Sequence, residues 1–350
     1  MKRITLSGTP EDIGFQHGRL LSEEINQTIS FYRDWFLIHL GDEERILESA
    51  GTFKQKIHSY NPDFGIEIEH IALGARISEP LWLYAMNSRS EMVVTQNASE
   101  CTAVVFPQHH LIGQTWDWAK FLEGKFVIME IVYPSGLKIL QLTEAGIIGK
   151  IGMNNRGLGQ TLNILRMMDA GLNGIPVHIV MRAVLESNSL EDALSAITRA
   201  GNGKASNLIL AQGRRAVDVE FAGNETFRHE IKGQVYIHTN HYRHAPESAQ
   251  VPEDSLVDSI RRYQVADELS SKATGFTLEE MISILSNRSH PQHTILCDFE
   301  PSEFGGIGDC GTLATIVMDL KGLSMKVRIG NPSADTFSID AFTNFYFSSM

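Results

Sequence analysis

Two apolar, β-branched runs separated by a short polar break constrain this chain more than any other feature. The runs are residues 101–106 (CTAVVF) and 111–118 (LIGQTWDW). Both have the composition of β-strands, and the intervening PQHH is typical of a turn. The pattern predicts an antiparallel hairpin with its turn near His109, which places Cys101 opposite Asp117.

Side chains at opposite hairpin positions lie about 5 Å apart at their Cβ atoms. A thiol beside a fixed carboxylate is a candidate activated nucleophile, so Cys101 and Asp117 are candidate catalytic residues. A single cysteine in an apolar strand is also often a buried hydrophobe with no chemical role. The two residues by themselves leave both interpretations open.

Composition excludes several classes of function. The chain has 350 residues, is 43% hydrophobic and carries a formal net charge of −12, so nucleic acid and anionic membranes are not expected as partners. Its three cysteines, Cys101, Cys297 and Cys310, are too few for a disulfide framework, which favours a reducing cytoplasm. No stretch approaches the roughly 18 apolar residues of a membrane span.

The order of periodic segments predicts the fold class. Helical spacing dominates residues 10–95, and strand-like runs dominate from residue 101. Pairs of helices at about 176–201 and 255–286 interrupt these strands. Such an order indicates an α+β protein with stacked sheets covered by helices.

Other sequence features support structural roles. Gly14, His17 and Gly18 in the first helix indicate close helix packing, with a further role for His17 left open. The GNGKA segment at 201–205 lacks Walker spacing and is interpreted as a helix stop.

No metal or cofactor is predicted. The glycines of 149–159 do not form a GxGxxG that opens a helix, so a dinucleotide site is not expected. His238, His241 and His244 recur every three residues at a strand end, where they do not converge as zinc ligands do.

Asn240 closes an apolar strand in the sequence HTNH. Asparagine at a strand end is usually a turn residue. In a cysteine acyl-transfer enzyme it would instead donate its amide N–H to the oxyanion of the tetrahedral intermediate.

Several motifs together resemble the fungal acyl-coenzyme A:isopenicillin N acyltransferase family, which includes β-alanyl-amine hydrolases and bacterial amidases. The resemblance spans essentially the whole chain, in the family's order. Its motifs are Glu100-Cys101-Thr102, GQTWD at 113–117, TEAGIIGKIGMN at 143–154, Gly157-Leu158, Asn163, GIPVH at 174–178, Arg182, LES at 185–187, HTNH at 238–241, Asp258-Ser259 and Arg262.

This resemblance implies a four-layer αββα fold of the N-terminal-nucleophile hydrolases, with a helical segment at 1–100 and a catalytic core at 101–350. It implies that the precursor cuts itself between Glu100 and Cys101. The new α-amine of Cys101, with a reference pKa near 8, then serves as the base for its own thiol.

The resemblance also assigns site residues. Asp117 orients the α-amine or the substrate, and Asn240 donates to the oxyanion. The substrate-binding candidates are Trp116, Asn154, Asn163 and Asp309.

Two positions depart from the fungal pattern. The fungal enzyme has Gly before its nucleophile, where this chain has Glu100, and a carboxylate there changes the cleavage site. The fungal enzyme also carries a Ser-Arg pair before the last sheet, and the matching region of this chain is GDCGTL at 308–313, which contains Asp309. Because Arg favours anionic groups and Asp does not, the difference favours a substrate that bears an amine.

The expected function is a self-processing cysteine amidohydrolase that acts on a small N-acyl or β-aminoacyl amide through a Cys101 thioester. An acyl donor such as acyl-coenzyme A is a further candidate partner. Acyl transfer to an amine, and an uncut relative that only binds a ligand, both remain open.

Overall fold

A computed structural model describes residues 1–93, 101–167, 173–246, 251–288, 294–302, 306–330 and 341–349. The helices are α1 (Pro10–Leu20), α2 (Ser22–Leu40), α3 (Glu43–Tyr60), α4 (Pro62–Ala75), α5 (Leu81–Asn87), α6 (Arg89–Met92), α7 (Val177–Leu185), α8 (Leu190–Ala200), α9 (Val257–Ser271) and α10 (Leu278–Leu285). The strands are β1 (Arg3–Ser7), β2 (Ala103–Phe106), β3 (Leu111–Ala119), β4 (Phe126–Val132), β5 (Lys138–Glu144), β6 (Ile151–Asn154), β7 (Leu158–Ile164), β8 (Lys204–Gln212), β9 (Arg215–Gly223), β10 (Glu225–Glu230), β11 (Tyr236–His238), β12 (Glu300–Pro301), β13 (Asp309–Asp319), β14 (Ser324–Ile329) and β15 (Thr343–Tyr346).

The chain divides into two compact units. The first comprises Met1–Val94, Leu122–Arg156 and Ala170–Lys204. Its strands pair in the order β1-β4-β5-β6, with β1 parallel to β4 and the other pairs antiparallel. Helix α7 packs against β6, so helices cover this part of the sheet.

Close packing of α1 on α4 depends on glycine. A Cβ added at Gly14 would lie 2.2 Å from the Glu67 carbonyl oxygen, and one at Gly18 would lie 2.2 Å from that of Ile71. The sequence prediction of close helix packing is therefore confirmed. Buried His17 accepts the Gly146 backbone N–H at 3.0 Å, and burial lowers its pKa to about 3, so it acts as a neutral acceptor.

A buried carboxylate joins the N-terminal helices to the sheet of this first unit. Glu144, at the end of β5, accepts hydrogen bonds from Tyr32, Arg89 and Lys150. Burial alone would raise the pKa of Glu144, but the two cations outweigh it and hold that pKa well below its usual range. Helices α2 and α6 are thereby fixed to β5.

The second unit comprises Thr95–Phe121, Gly157–Asp169 and Ala205–Met350. One sheet has the order β7-β8-β9-β10 and the other β11-β2-β3-β13-β14-β15, with β12 beside β13. The sheets stack face to face: Gln114 of β3 donates to the Leu162 carbonyl on β7 at 3.1 Å and accepts its N–H at 2.7 Å. Helices α9 and α10 pack on the other face of the second sheet, around Val104, Phe106 and Leu285.

The predicted α+β class is confirmed, because the described residues form helices together with two β-sheets. Strands β1, β10 and β15 were not predicted. Most of their side chains are exposed, so they lack the apolar runs that identify buried strands.

The boundary between residues 100 and 101 concerns processing of the chain and stays a prediction. In the described part of the chain, none of the helices combines the length and apolar character needed to cross a membrane.

The variant Glu144→Gln is expected to lower the free energy of unfolding by about 3–5 kcal/mol, because it leaves the buried charges of Arg89 and Lys150 without a carboxylate. Urea unfolding measures the change. The matched control is Glu268→Gln, which removes an exposed carboxylate paired with Lys272 and should leave the transition where it is. Equal effects of the two variants would contradict the assigned role of Glu144.

Candidate active site

The predicted hairpin is present, but its predicted register is wrong by one residue. Strands β2 and β3 pair Ala103 with Gln114 and Val104 with Gly113, so continuing the ladder places Cys101 across from Trp116. The connection is a 3-10 turn at Pro107–His109 followed by His110 in the left-handed region at φ 61°. The turn therefore comprises residues 107–110, and its midpoint lies between Gln108 and His109, close to the predicted position.

Asp117 reaches the nucleophile segment through Thr115. Thr115 Oγ1 accepts the Thr102 backbone N–H at 3.0 Å and donates to Asp117 Oδ2 at 3.4 Å. The Sγ of Cys297 lies 3.9 Å from the same carboxylate oxygen. Asp117 is fully buried, and the Thr115 hydroxyl links its carboxylate to the main chain of Thr102, one residue beyond Cys101.

A β-bulge lies beside these residues. Strand β13 pairs Thr312 with Asp117 and Ala314 with Trp116, which leaves Leu313 as an extra residue. Bulges redirect side chains and are frequent next to active sites. Trp116 itself is 4% exposed and lies in the part of β3 that faces the bulge.

The main chain of Cys101 is held by two side-chain donors. Its carbonyl oxygen accepts Nδ2 of Asn163 at 2.9 Å and Nη1 of Arg262 at 3.0 Å. Cys101 is 4% exposed and forms no disulfide. Asn163, a predicted substrate-binding residue, therefore contacts the main chain of the candidate nucleophile; its role in substrate binding stays a prediction.

Arg262 belongs to a family motif, but its sequence position alone indicated no role in the site. From α9 its guanidinium donates to the Cys101 carbonyl, to Thr102 Oγ1 at 3.1 Å and to Asn240 Oδ1 at 3.0 Å. Its Nε donates to Asp258 at 2.6 Å. Spacing of four residues predicts a surface ion pair between Asp258 and Arg262, and nothing in that spacing shows that the arginine is buried.

Asn240 follows β11 and is fixed on three sides. Its backbone N–H donates to Ser259 Oγ at 2.7 Å, its Nδ2 donates to the Ile164 carbonyl at 2.9 Å, and its Oδ1 accepts Arg262. One guanidinium thus joins the candidate oxyanion donor to the candidate nucleophile.

Three other predicted residues have different surroundings. Asn154, in the first unit, donates to the carbonyls of Leu185 and Ser187 at 2.9 and 2.7 Å and so closes the C-terminal end of α7. Asp309 begins β13 and pairs with Pro301. Glu100 lies outside the described residues. Roles for these three in substrate binding or processing stay predictions.

The described helices and two sheets define the class of fold, an α+β sandwich. A family model described as acyl-coenzyme A:6-aminopenicillanic acid acyl-transferase matches residues 106–334. The chain belongs to this family, which confirms the resemblance inferred from its motifs.

The chain is also similar to individual proteins. A protein of Emericella nidulans described as the acyl-coenzyme A:6-aminopenicillanic-acid-acyltransferase 40 kDa form is 29% identical, over 98% of this chain and 97% of its own. Among solved structures, a Caenorhabditis elegans N-acylethanolamine-hydrolyzing acid amidase ortholog aligns with a TM-score of 0.47 and 16% identity, over 63% of this chain and 93% of its own. A mutant conjugated bile acid hydrolase from Clostridium perfringens aligns with a TM-score of 0.43 and 11% identity, over 71% and 97%. Similarities of this degree to solved structures do not bear on the substrate of this chain.

Replacing Arg262 by Lys is expected to destabilise the protein by about 2–4 kcal/mol, because an ammonium cannot reproduce the forked, charge-assisted hydrogen bonds of a guanidinium. Chemical unfolding measures this loss. Arg261→Lys is the control. Arg261 is the neighbour of Arg262 on the same helix, but it is exposed and, among the described side chains, bonds only Gln264. A wild-type unfolding midpoint for Arg262→Lys would show that the guanidinium does not hold the site together.

Proposed function

We propose that this protein is a self-processing cysteine amidohydrolase that cleaves a small N-acyl or β-aminoacyl amide through a thioester on Cys101. The observation that carries the proposal is the contact of Cys101 and Asn240 with one buried guanidinium, that of Arg262. A nucleophile and an oxyanion donor must keep a constant separation during acyl transfer, and a shared rigid partner provides it.

Processing begins with attack of the Cys101 sulfur on the carbonyl carbon of Glu100. The Glu100–Cys101 C–N bond breaks, the nitrogen takes a proton, and a thioester links Glu100 to the sulfur. Water hydrolyses that thioester, which leaves a carboxylate on Glu100 and a free α-amine and thiol on Cys101. Nothing besides water is consumed.

Catalysis then repeats the same chemistry on a substrate. The α-amine takes the thiol proton, the thiolate attacks the substrate carbonyl, and the protonated amine returns the proton to the leaving amine. An amide NH2 has two hydrogens: one of Asn240's binds the Ile164 carbonyl, and the other donates to the oxyanion. Asp117 acts through Thr115, which orients the main chain that carries the amine.

Acyl transfer is the second candidate. The relative that supports it is described as an acyltransferase and aligns over 98% of this chain. Hydrolysis and transfer differ in whether water or an amine attacks the thioester. A screen of N-acyl amines, β-alanyl amines, acyl amino acids and penicillins, with and without an added amine acceptor, distinguishes them by the product formed.

Self-processing predicts two bands on a denaturing gel, at about 11 and about 28 kDa, because the proposed cut leaves 100 and 250 of the 350 residues of a 39.0 kDa chain. Cys101→Ala should remain one band near 39.0 kDa, since it lacks the attacking sulfur. Cys310→Ala is the matched control and should be cut as in the wild type. Purified wild-type protein that stays intact and hydrolyses no amide would refute the proposal.

Selective alkylation gives an independent prediction. Iodoacetamide should modify Cys101 faster than Cys297 or Cys310, because reactivity follows thiolate formation. Accessibility alone favours a different order: Cys101 and Cys297 are buried, whereas Cys310 is partly exposed. Peptide mass spectrometry after short exposures reads out the three rates. If Cys310 reacts first, the interpretation as an uncut, non-catalytic relative is favoured instead.

A further inference from the structure

The loop that carries Asn240, residues 239–246, is held by the carboxylate of Glu220 on β9. Oε1 of Glu220 accepts the backbone N–H of Arg243 at 2.6 Å. Oε2 accepts those of the next two residues, His244 and Ala245, at 2.9 and 3.0 Å. Three successive backbone donors therefore point at one fully buried side chain.

The same carboxylate binds the residue that precedes the loop. Nε2 of His238 lies 2.9 Å from Glu220 Oε1, and both side chains are fully buried. Glu220 thus holds the chain on each side of Asn240, at position 238 and at positions 243–245.

Hydrogen-bond chemistry assigns the protonation state of this pair. Nδ1 of His238 lies 2.6 Å from the Thr239 carbonyl oxygen, which can only accept. Its Nε2 faces a carboxylate that already receives three N–H donors and is therefore ionised. Each ring nitrogen must carry a hydrogen, so His238 is an imidazolium.

The charges around the pair are consistent with this state. Burial alone would raise the pKa of Glu220, but the hydrogen bond and charge of His238 and the backbone donors lower it to about 2. Asp218, two positions earlier on β9, accepts Tyr236 Oη at 2.9 Å and an amide N–H of Asn207, and lies 3.6 Å from His244 Nε2.

Further charged or titratable groups near the pair belong to the loop, to strands β10 and β11 and to helix α9. The Arg243 side chain folds over the rings of Tyr236 and Tyr263 at 4.5 and 4.7 Å. His229 of β10 stacks on His244 with ring centroids 4.3 Å apart. His241, within the loop, has its pKa lowered to about 3 by burial and by the nearby cations, and it contacts Ser259 Oγ at 2.9 Å.

A metal site is the competing interpretation, because Asp218, Glu220 and His238 bring ligand atoms within 4.8 Å of one another. The hydrogen bonds decide against it. Both oxygens of each carboxylate already accept N–H or O–H donors, and hydrogens pointed at those oxygens occupy the positions a cation needs. The pair acts by charge and hydrogen bonding.

We propose that Glu220 is a positioning residue, which with the His238 imidazolium fixes the loop that presents Asn240 to Arg262 and to the Cys101 main chain. This inference rests on the proposed catalytic role of Asn240. Glu220 acts through the loop and does not touch the reacting atoms.

The first test compares Glu220→Gln with Asp218→Asn. Glutamine keeps the shape of Glu220 but turns an NH2 toward donors that need an acceptor. The expected result is a fall in kcat on the order of 10²-fold with a smaller change in KM, because substrate is still bound while the oxyanion donor is misplaced. Asp218→Asn also removes a buried carboxylate from the same face of β9, and its kcat should stay close to that of the wild type. Glu220→Asp keeps the charge and should recover part of the loss.

The second test needs no substrate. In protein labelled with 15N-histidine, both ring nitrogens of His238 should show directly bonded hydrogens that exchange slowly, with the assignment made by loss of the signal in His238→Asn. This measurement separates failure of the positioning inference from failure of the amidase proposal, since it can succeed on a protein that turns nothing over. It also remains decisive if Glu220→Gln does not fold.

The two tests together decide the inference on Glu220. A doubly protonated His238, together with a kcat loss confined to Glu220→Gln, supports the inference. A neutral His238, or equal kcat losses in Glu220→Gln and Asp218→Asn, overturns it. Wild-type kcat in folded Glu220→Gln overturns it as well.

Discussion

The arrangement of the site depends on one buried cation. A guanidinium without water must have its hydrogens accepted and its charge balanced, and Arg262 meets this requirement with groups from three separate segments. These are the Cys101–Thr102 main chain and hydroxyl, the Asn240 amide and the Asp258 carboxylate. Because none of these groups can move without leaving a buried donor unsatisfied, the start of β2, the loop after β11 and helix α9 keep one relative position.

Buried carboxylates complete this scheme in each unit. Glu144 fixes helices α2 and α6 to β5 in the first unit, and Glu220 fixes the loop at 239–246 in the second. Both are fully buried, where an unpaired charge costs several kcal/mol. Buried charged groups of this kind fix positions more than they add stability, because well-packed apolar residues of similar size would stabilise the fold equally. The position of Glu220 beside the loop that carries Asn240 is consistent with a need for constant geometry.

The family relationship narrows the chemistry to acyl transfer to water or to an amine. Within this range, the chain differs from the fungal pattern at Glu100 and Asp309, and both substitutions introduce a carboxylate. These two positions are the basis of the proposal that the substrate bears an amine, and amine-bearing acyl groups are the first to test.

Local patterns in the sequence determined a large part of the fold. The helices before residue 95, the β2–β3 hairpin, the helix pair α7 and α8 and the β13–β14 hairpin follow from periodicity, caps and turn residues, which act over a few positions. Motif order also identified the family, and it predicted that Cys101, Asp117, Asn163 and Asn240 belong to one site.

Tertiary structure decided what depends on residues distant in the chain. The hairpin register differs by one residue from the predicted one, and the chain closes it through a 3-10 turn at Pro107–His109 and a left-handed His110. The bulge at Leu313 arises only when β13 meets β3. Arg262 and Glu220 were given no role, because a charged residue on a helix or strand is usually solvated, and burial depends on what packs over it.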